Sequence, residues 1–343
     1  MTLPKDFFQE TLTKILSIDS PTGFTKGVIS EIKSITDTLG YTGHLTHKGN
    51  LVVDVPGATT KTVAISTHVD TLGLMVRSVN GDGTLAVTTV GGPIMPTLDG
   101  EYCTVYTRAG QAYTGTILSN SPASHVYKDA SELERNATNM HVRLDEPVKT
   151  GDETKALGIQ AGDFVCYDPK TIITPSGFIK SRFLDDKLSA AIVLAALKYL
   201  KDEKITPAAH AKIIFSTYEE VGHGLSHLPG EVTELLAVDM GCIGQDLSCT
   251  EYDVSICAKD SSGPYDYDFT GRLISLAKDA GLSYAVDIYP FYGSDASAAV
   301  RAGHDVAFGL VGPGVTASHG MERSHMSACE NTFKLLCLYL TQA

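Results

Sequence analysis

Two adjacent carboxylates, Glu219 and Glu220, close the stretch 211–224, AKIIFSTYEEVGHG. Ile213, Ile214 and Phe215 form an apolar run, and Ser216, Thr217 and Tyr218 extend it toward the acids and a Gly-rich turn. Read as a buried strand, the stretch presents two acids at its carboxyl end, where open α/β sheets build their sites. Neighbouring residues on an extended chain face opposite sides, so one acid can hold a metal while the other carries a proton. Taken alone, a solvated Glu-Glu pair opening a loop would look the same. Other sites share the character: His68-Val69-Asp70 after the apolar run 62–67, Asp185-Asp186 before a helical stretch, and Asp239 after 235–238. The segment SHGMERSH adds His319 and His325. Imidazoles and carboxylates without sulfur suit Zn²⁺, Co²⁺ or Mn²⁺. Two such ions held by a shared carboxylate can clamp the attacking and leaving oxygens of a hydrolysis. Each residue has a plain structural explanation, Asp185-Asp186 as a helix cap for example; together, so many acids and histidines at the ends of apolar runs argue for a metal centre.

Composition narrows the partners. The 343 residues suit one large domain or two. A net charge of −13 argues against nucleic acid as a partner. Seven cysteines, an odd number without a CxxC, fit a reducing, cytoplasmic setting better than a disulfide framework. The first residues, MTLPKDFFQETLTKIL, lack the apolar core of a signal peptide, and no apolar run is long enough to predict a membrane span.

The elements that must position these side chains fall into two textures. Residues 4–16 and 28–39 carry amphipathic helical patterns, and 51–55 reads as a strand stopped by Pro56-Gly57. From Leu72 short alternating runs follow one another, GLMVRSV, TLAVTTVGG, YCTVYT and AYTGTIL, as in a small β-barrel. Residues 128–138 are its one candidate helix, and 158–165 its last turn and strand. After Ser181, helices at 188–201, 272–280 and 330–340 alternate with strands at 235–238, 286–289 and 307–311. That alternation predicts an α/β domain with a mixed sheet covered by helices. The expected organisation is a catalytic α/β domain from residues 1–71 and 164–343, with a β-barrel domain of residues 72–163 inserted.

The set STHVDTLGLMV, FLDDKLSA, STYEEVGHG, AVDMG, GSDASAA and a late His, in this order, resembles the M42 family of metal-dependent aminopeptidases, of glutamyl and tetrahedral aminopeptidase type, over essentially the whole chain. The resemblance implies a zinc-exopeptidase-like mixed sheet carrying a PDZ-like β-barrel, two divalent ions per chain (zinc or cobalt, with manganese compatible), short peptide substrates, and a homo-oligomer such as a dodecamer. It also implies roles. Asp185 would bridge the ions, Glu220 and a late His would complete one site, and His68 and Asp239 the other. Glu219 would be the general base, and Asp70 would orient His68. The late ligand is expected at His325, which follows an Arg closely as in the family, with His319 as the alternative; here Glu330 lies five residues beyond His325, where the family has a Glu at four. The implied activity is removal of the N-terminal residue of a peptide by metal-activated water, with Glu219 moving the proton. A deacylase or amidase on non-peptide amides could use the same centre. Glycan hydrolysis would need two carboxyls free to flank a sugar, and a non-catalytic metal-binding scaffold would have no use for a free base.

Overall fold

Phe8, Leu12, Ile15 and Leu16 recur at helical spacing, and Lys5–Leu16 folds as α1 with these side chains buried. Val28, Ile29 and Ile32 do the same for α2 (Lys26–Thr38). Three strands follow, β1 (Thr42–Leu45), β2 (Leu51–Val55) and β3 (Thr62–His68). The computed structural model describes residues 1–342. It divides into two units: Met1–Asp70 with the chain from Lys170 on, and Thr71–Pro169.

The second unit holds β4 (Gly73–Val79), β5 (Leu85–Val90), β6 (Tyr102–Tyr106), β7 (Ala112–Ser119), β8 (Met140–Leu144), α3 (Gly151–Ala156) and β9 (Phe164–Tyr167). The six strands pair antiparallel and close into a barrel in the order β4-β5-β8-β7-β6-β9. Alternation does this: along β7, Gly115, Ile117 and Ser119 are buried while the residues between them are not. The strand expected at the end of 158–165 is β9, which pairs with both β4 and β6 and closes the barrel, so the unit runs to Pro169 and past the domain boundary expected at 163. Residues 128–138 are turns rather than a helix. Arg135 gathers that segment, with Nε 3.0 Å from Asp99 Oδ2 and its other nitrogens donating to the carbonyls of Leu133 and Ala130. Helical structure sits instead at α3, opened by a capping box between Thr150 and Glu153.

The first unit resumes with β10 (Ile172–Ile173), β11 (Phe178–Ser181), α4 (Leu184–Asp202), β12 (His210–Ser216), β13 (Val232–Val238), β14 (Gly241–Cys242), β15 (Val254–Asp260), β16 (Gly263–Pro264), α5 (Tyr267–Asp279), β17 (Tyr284–Ile288), α6 (Asp295–Arg301), β18 (Ala307–Val315), β19 (Glu322–His325) and α7 (Met326–Gln342). Its main sheet is ordered β1-β2-β12-β3-β13-β18-β15-β16, with β17 also paired to β15. The centre, β12-β3-β13-β18, is parallel. Every residue of β3 is buried, as a strand covered on both faces requires. Helix α4 is buried without a break from Leu184 to Leu197 and packs on β3, α1 and α7. Ala296 and Ala299 of α6 join Ala64, Ile214, Leu235 and Leu310 in a hydrophobic cluster.

Gly312 of β18 lies against the end of β13. A Cβ at this position would stand 1.7 Å from the Asp239 carbonyl oxygen, while the Asp239 amide donates to Val311 O at 2.9 Å. Gly312→Ala is expected to destabilise the protein by about 1–3 kcal/mol through overpacking, measured as a lower urea midpoint at unchanged slope.

Candidate metal centre

Four parallel strands side by side bring their carboxyl ends to one edge of the sheet. His68 is the last residue of β3, Asp239 follows β13, Glu219 and Glu220 follow β12, and His319 lies in the loop after β18. Asp185 arrives from the start of α4. His68 Nε2 is 3.0 Å from Asp185 Oδ1, 3.6 Å from Glu219 Oε2 and 3.9 Å from Asp239 Oδ2. His319 Nε2 is 3.5 Å from Asp185 Oδ2 and 3.6 Å from Glu220 Oε2. Asp185 therefore turns one oxygen to each imidazole. Potential ligand atoms of His68, Asp185 and Glu220, and of His68, Glu219 and Asp239, form two overlapping groups within 4.8 Å.

The two glutamates separate by a different route from the one their strand pattern predicts. β12 ends at Ser216, and Glu219–Val221 is a single 3₁₀ turn. At three residues per turn, consecutive side chains diverge by about 120°. Glu219 turns toward His68 and Glu220 toward His319.

A second set of buried acids holds the backbone of the first. Asp70 accepts the amides of Glu219 at 3.2 Å and Glu220 at 3.3 Å, and the Thr22 hydroxyl at 2.6 Å. Its carbonyl, 2.9 Å from His68 Nδ1, is closer to that ring than its carboxylate at 3.6 Å. Asp186 accepts the Thr67 hydroxyl at 2.6 Å and the His68 amide at 3.3 Å. Asp295 accepts Ser216 Oγ at 2.5 Å and the Leu225 amide at 3.0 Å. Gly224 permits this approach, since a Cβ there would lie 2.1 Å from Asp295 Oδ1. Glu322 accepts the Asp185 amide with one oxygen and the His319 amide with the other, each at 3.0 Å.

His325 is corrected by this geometry. It sits in β19, with Nε2 2.9 Å from Ser176 O and Nδ1 3.1 Å from Ser327 Oγ, and packs against Phe178 and Tyr252. His319 takes the place beside Asp185 and Glu220. The sequence held a signal for it: β18 continues through Gly-Pro-Gly to Val315, past the expected end at 311, and the strand-end rule applied there selects the loop containing His319. Asp186 figured in the sequence only as the neighbour of Asp185, and Asp295 and Glu322 carried no role there, because an acid that accepts backbone amides looks like any other loop acid until the loops are placed.

Crowding dominates the electrostatics. Burial pushes the Glu219 and Glu220 carboxyls well above the usual range, and the charges of Asp239 and Asp185 respectively add to it. Burial and the Asp185 charge push Asp239 up to about 7 and Glu322 to about 8. For Asp185, burial is outweighed by hydrogen bonds from His319 and His68, which hold it below the usual carboxylate range. Burial works against a charge on His68, but Glu219, Asp185 and Asp70 together raise it. Without a cation the cluster must take up protons. Divalent ions fit the same donors, two imidazoles and four carboxylates with no sulfur, and remove that need.

Comparison with known proteins identifies the family. The family model for M42 glutamyl aminopeptidase matches residues 49–335. YhfE of Bacillus subtilis (strain 168), provisionally named an aminopeptidase, is 46% identical over 333 residues, 96% of each chain. The chain belongs to the M42 peptidase family. The lysyl aminopeptidase of Pyrococcus furiosus is 23% identical over 195 residues, 57% of this chain and 53% of that one. Among solved structures, the Pyrococcus horikoshii TET1 peptidase, described as assembling into a tetrahedron or a large octahedral shell, superposes with a TM-score of 0.85 at 21% identity, over 98% of this chain and 100% of that one. That likeness speaks for the fold of this M42 peptidase.

Two outcomes test the centre. Acids with raised values bind more protons folded than unfolded, so stability falls as pH climbs from the ordinary carboxylate value of 3.8 through the raised value near 7. Chelated M42 peptidase should lose Tm steadily between about pH 5 and 8, and saturating zinc should flatten that slope. Secondly, His319→Ala should lower the metal content measured by plasma mass spectrometry, whereas His325→Ala should leave it at the wild-type level.

Proposed function

We propose that this M42 peptidase is a di-metal aminopeptidase that removes the N-terminal residue of short peptides, with Glu219 carrying the proton. The position of Asp185 supports this most directly, one oxygen toward each imidazole. Asp185 would be shared, with His68 and Asp239 on one ion and Glu220 and His319 on the other. Zinc or cobalt suits the donors, and manganese is compatible. Divalent ions there supply Lewis acidity toward water and toward the scissile carbonyl.

The remaining work falls to the chain's own groups. Of the four carboxylates, the Glu219 side chain is the most accessible, at 14% against 8% for Asp185, 6% for Asp239 and 4% for Glu220. It lines the cavity that a substrate would enter. Burial raises its proton affinity, which suits Oε2 to take the proton of the attacking water and pass it to the leaving amine. Asp70 fixes the turn that carries it by holding both glutamate amides. An Nδ1–H donated to the Asp70 carbonyl leaves the His68 Nε2 lone pair facing the cluster. The surrounding acids favour a substrate with a free α-ammonium group.

The tetrahedral or octahedral assembly of the Pyrococcus horikoshii peptidase supports a homo-oligomer for this chain as well. The outer strand β17 agrees, leaving Ile288 55% and the nearby Phe291 97% exposed. Light scattering should give a mass above that of a dimer. Seven free thiols support a reducing cytoplasm.

Aminoacyl-anilides, turned over with metal and not with chelator, test the activity against N-acyl amino acids, which a deacylase would prefer. Glu219→Gln should keep its metals and lose about 10²–10⁴-fold in kcat with little change in KM. Glu220→Gln should lose metal affinity and recover activity in excess metal. The reverse pattern would exchange the two roles.

A further inference from the structure

The turn between β1 and β2 reaches the segment that carries Glu219 and Glu220. Antiparallel pairing of β2 with β12 sets Leu51 opposite Phe215. Continued along both chains, that register brings Lys48 beside Tyr218, the residue before Glu219. The turn is closed on itself. Gly49, at φ 92°, donates its amide to the Thr46 carbonyl at 3.0 Å, and the Asn50 amide donates to Thr46 Oγ1 at 3.1 Å. Lys48 and Asn50 are therefore presented from a fixed base.

These two residues hold the chain on both sides of the glutamates. Before them, the Thr217 hydroxyl lies 3.1 Å from the Lys48 carbonyl and 2.9 Å from Asn50 Oδ1. The Lys48 ammonium stands 5.4 Å from the centre of the Tyr218 ring. After them, the ammonium donates to the His223 carbonyl, to the Gly224 carbonyl at 3.2 Å and to Ser226 Oγ at 3.1 Å. Asn50 Nδ2 donates to the same Gly224 carbonyl at 3.0 Å. The Tyr218 and His223 rings stack with centroids 5.0 Å apart, and the His223 amide donates to the Tyr218 carbonyl at 3.1 Å. Both ends of the loop thus meet at Lys48. Val221, Gly222 and His223 are exposed, so core packing does not hold the crest of this loop. Burial keeps the ammonium below the usual lysine range even though the charges of Asp295 and Asp70 favour it. A cation withdrawn from water needs the acceptors that this loop supplies.

We infer that Lys48 is a positioning residue for the proton transfer: by fixing the loop 218–226 it sets where the Glu219 carboxylate stands relative to the attacking water. The inference rests on the reading of Glu219 as the base. Asp70 fixes the two glutamate amides, and Lys48 fixes the chain on either side of them. A displacement of about 1 Å at a reacting group can cost about a hundredfold in rate, so a contact that never touches substrate can still set kcat.

Metal-saturated wild type, Lys48→Met, Glu219→Gln and the double variant should be compared in kcat and KM on the aminoacyl-anilide that wild type cleaves best, with Tm and metal content measured for each. Methionine keeps the stem and removes the ammonium. Lys48→Met should lose about ten- to a hundredfold in kcat, with KM little changed and metal content at the wild-type level. Lys48→Arg, which restores donors, should recover part of the loss. In the Glu219→Gln background Lys48→Met should cost nothing further, because a positioning residue has no effect once the group it positions cannot take a proton. Should Lys48→Met not fold, Lys48→Arg carries the same cycle with a smaller loss. Equal proportional losses in both backgrounds would overturn the inference, since Lys48 would then support the fold at large. Wild-type kcat in Lys48→Met would overturn it too, as would a loss of metal in place of a loss of kcat, which would move the effect to Glu220. Wild-type kcat in Glu219→Gln would remove the reading of Glu219 as the base, and the inference with it.

Discussion

Confining this many carboxylates in one desolvated site is the constraint on which the rest of the structure depends. Asp185, Glu219, Glu220 and Asp239 all approach within 3.9 Å of an imidazole at a buried sheet edge. In low dielectric such a group is unstable unless protons or cations neutralise it. Like charges also push one another apart, so the backbone segments that carry them need restraint from outside the cluster. A functional site of this kind is strained against the fold, and the fold has to answer with specific contacts.

The answer is a second set of acids with the opposite electrostatic job. Asp70, Asp186, Asp295 and Glu322 accept backbone amides or hydroxyls from the segments that carry His68, Asp185, His319 and the two glutamates. Hydrogen bonds from several donors are how a buried carboxylate is made tolerable. Each of these acids therefore offsets part of its own burial by fixing a neighbour's position, though Asp186 Oδ1 is left without a hydrogen-bond partner among the described residues. Glu322 couples Asp185 to His319, and Asp70 ties the 3₁₀ turn of Glu219 and Glu220 to the end of β3. The parallel strands give the common edge, and these contacts set the register on it.

The architecture and most of the inner acids could be read from sequence because both follow local rules. Apolar runs such as those of β2 and β3 end where the strands end, and the rule that sites form at carboxyl ends then points to His68, Asp239 and the Glu219-Glu220 pair. What could not be read depends on contacts distant in sequence. The end of the barrel is one case: a last strand was expected within 158–165, but its full extent, Phe164–Tyr167, is set by pairing with β4 and β6. Residues 254–260, VSICAKD, are a sheet strand that no strand in the sequence reading covered, because Ser255 and Lys259 break its apolar run. Asp295 and Glu322 acquire meaning only once Ser216, Leu225, Asp185 and His319 are brought to them.

His319 shows the same point from the side of the ligand. A metal needs an imidazole at a place in space, and any backbone that reaches the place will serve. In this chain the imidazole beside Asp185 and Glu220 comes from a loop after β18, with His319 at φ 64° and its amide held by Glu322 three residues on. An left-handed conformation is uncommon for a residue with a side chain, so the loop must be held in it by its surroundings. The Glu322 bond and the Thr316–Arg323 bridge at the loop's base supply that hold. The place of the imidazole is thus carried by the loop's anchoring, while the far end of the cavity, built from Gly293, Ala298 and Arg301, lies apart from the Asp295 end of α6 that holds Ser216 and Leu225. Residues there can change without disturbing the acids, which is where a shared centre and a private substrate preference can coexist.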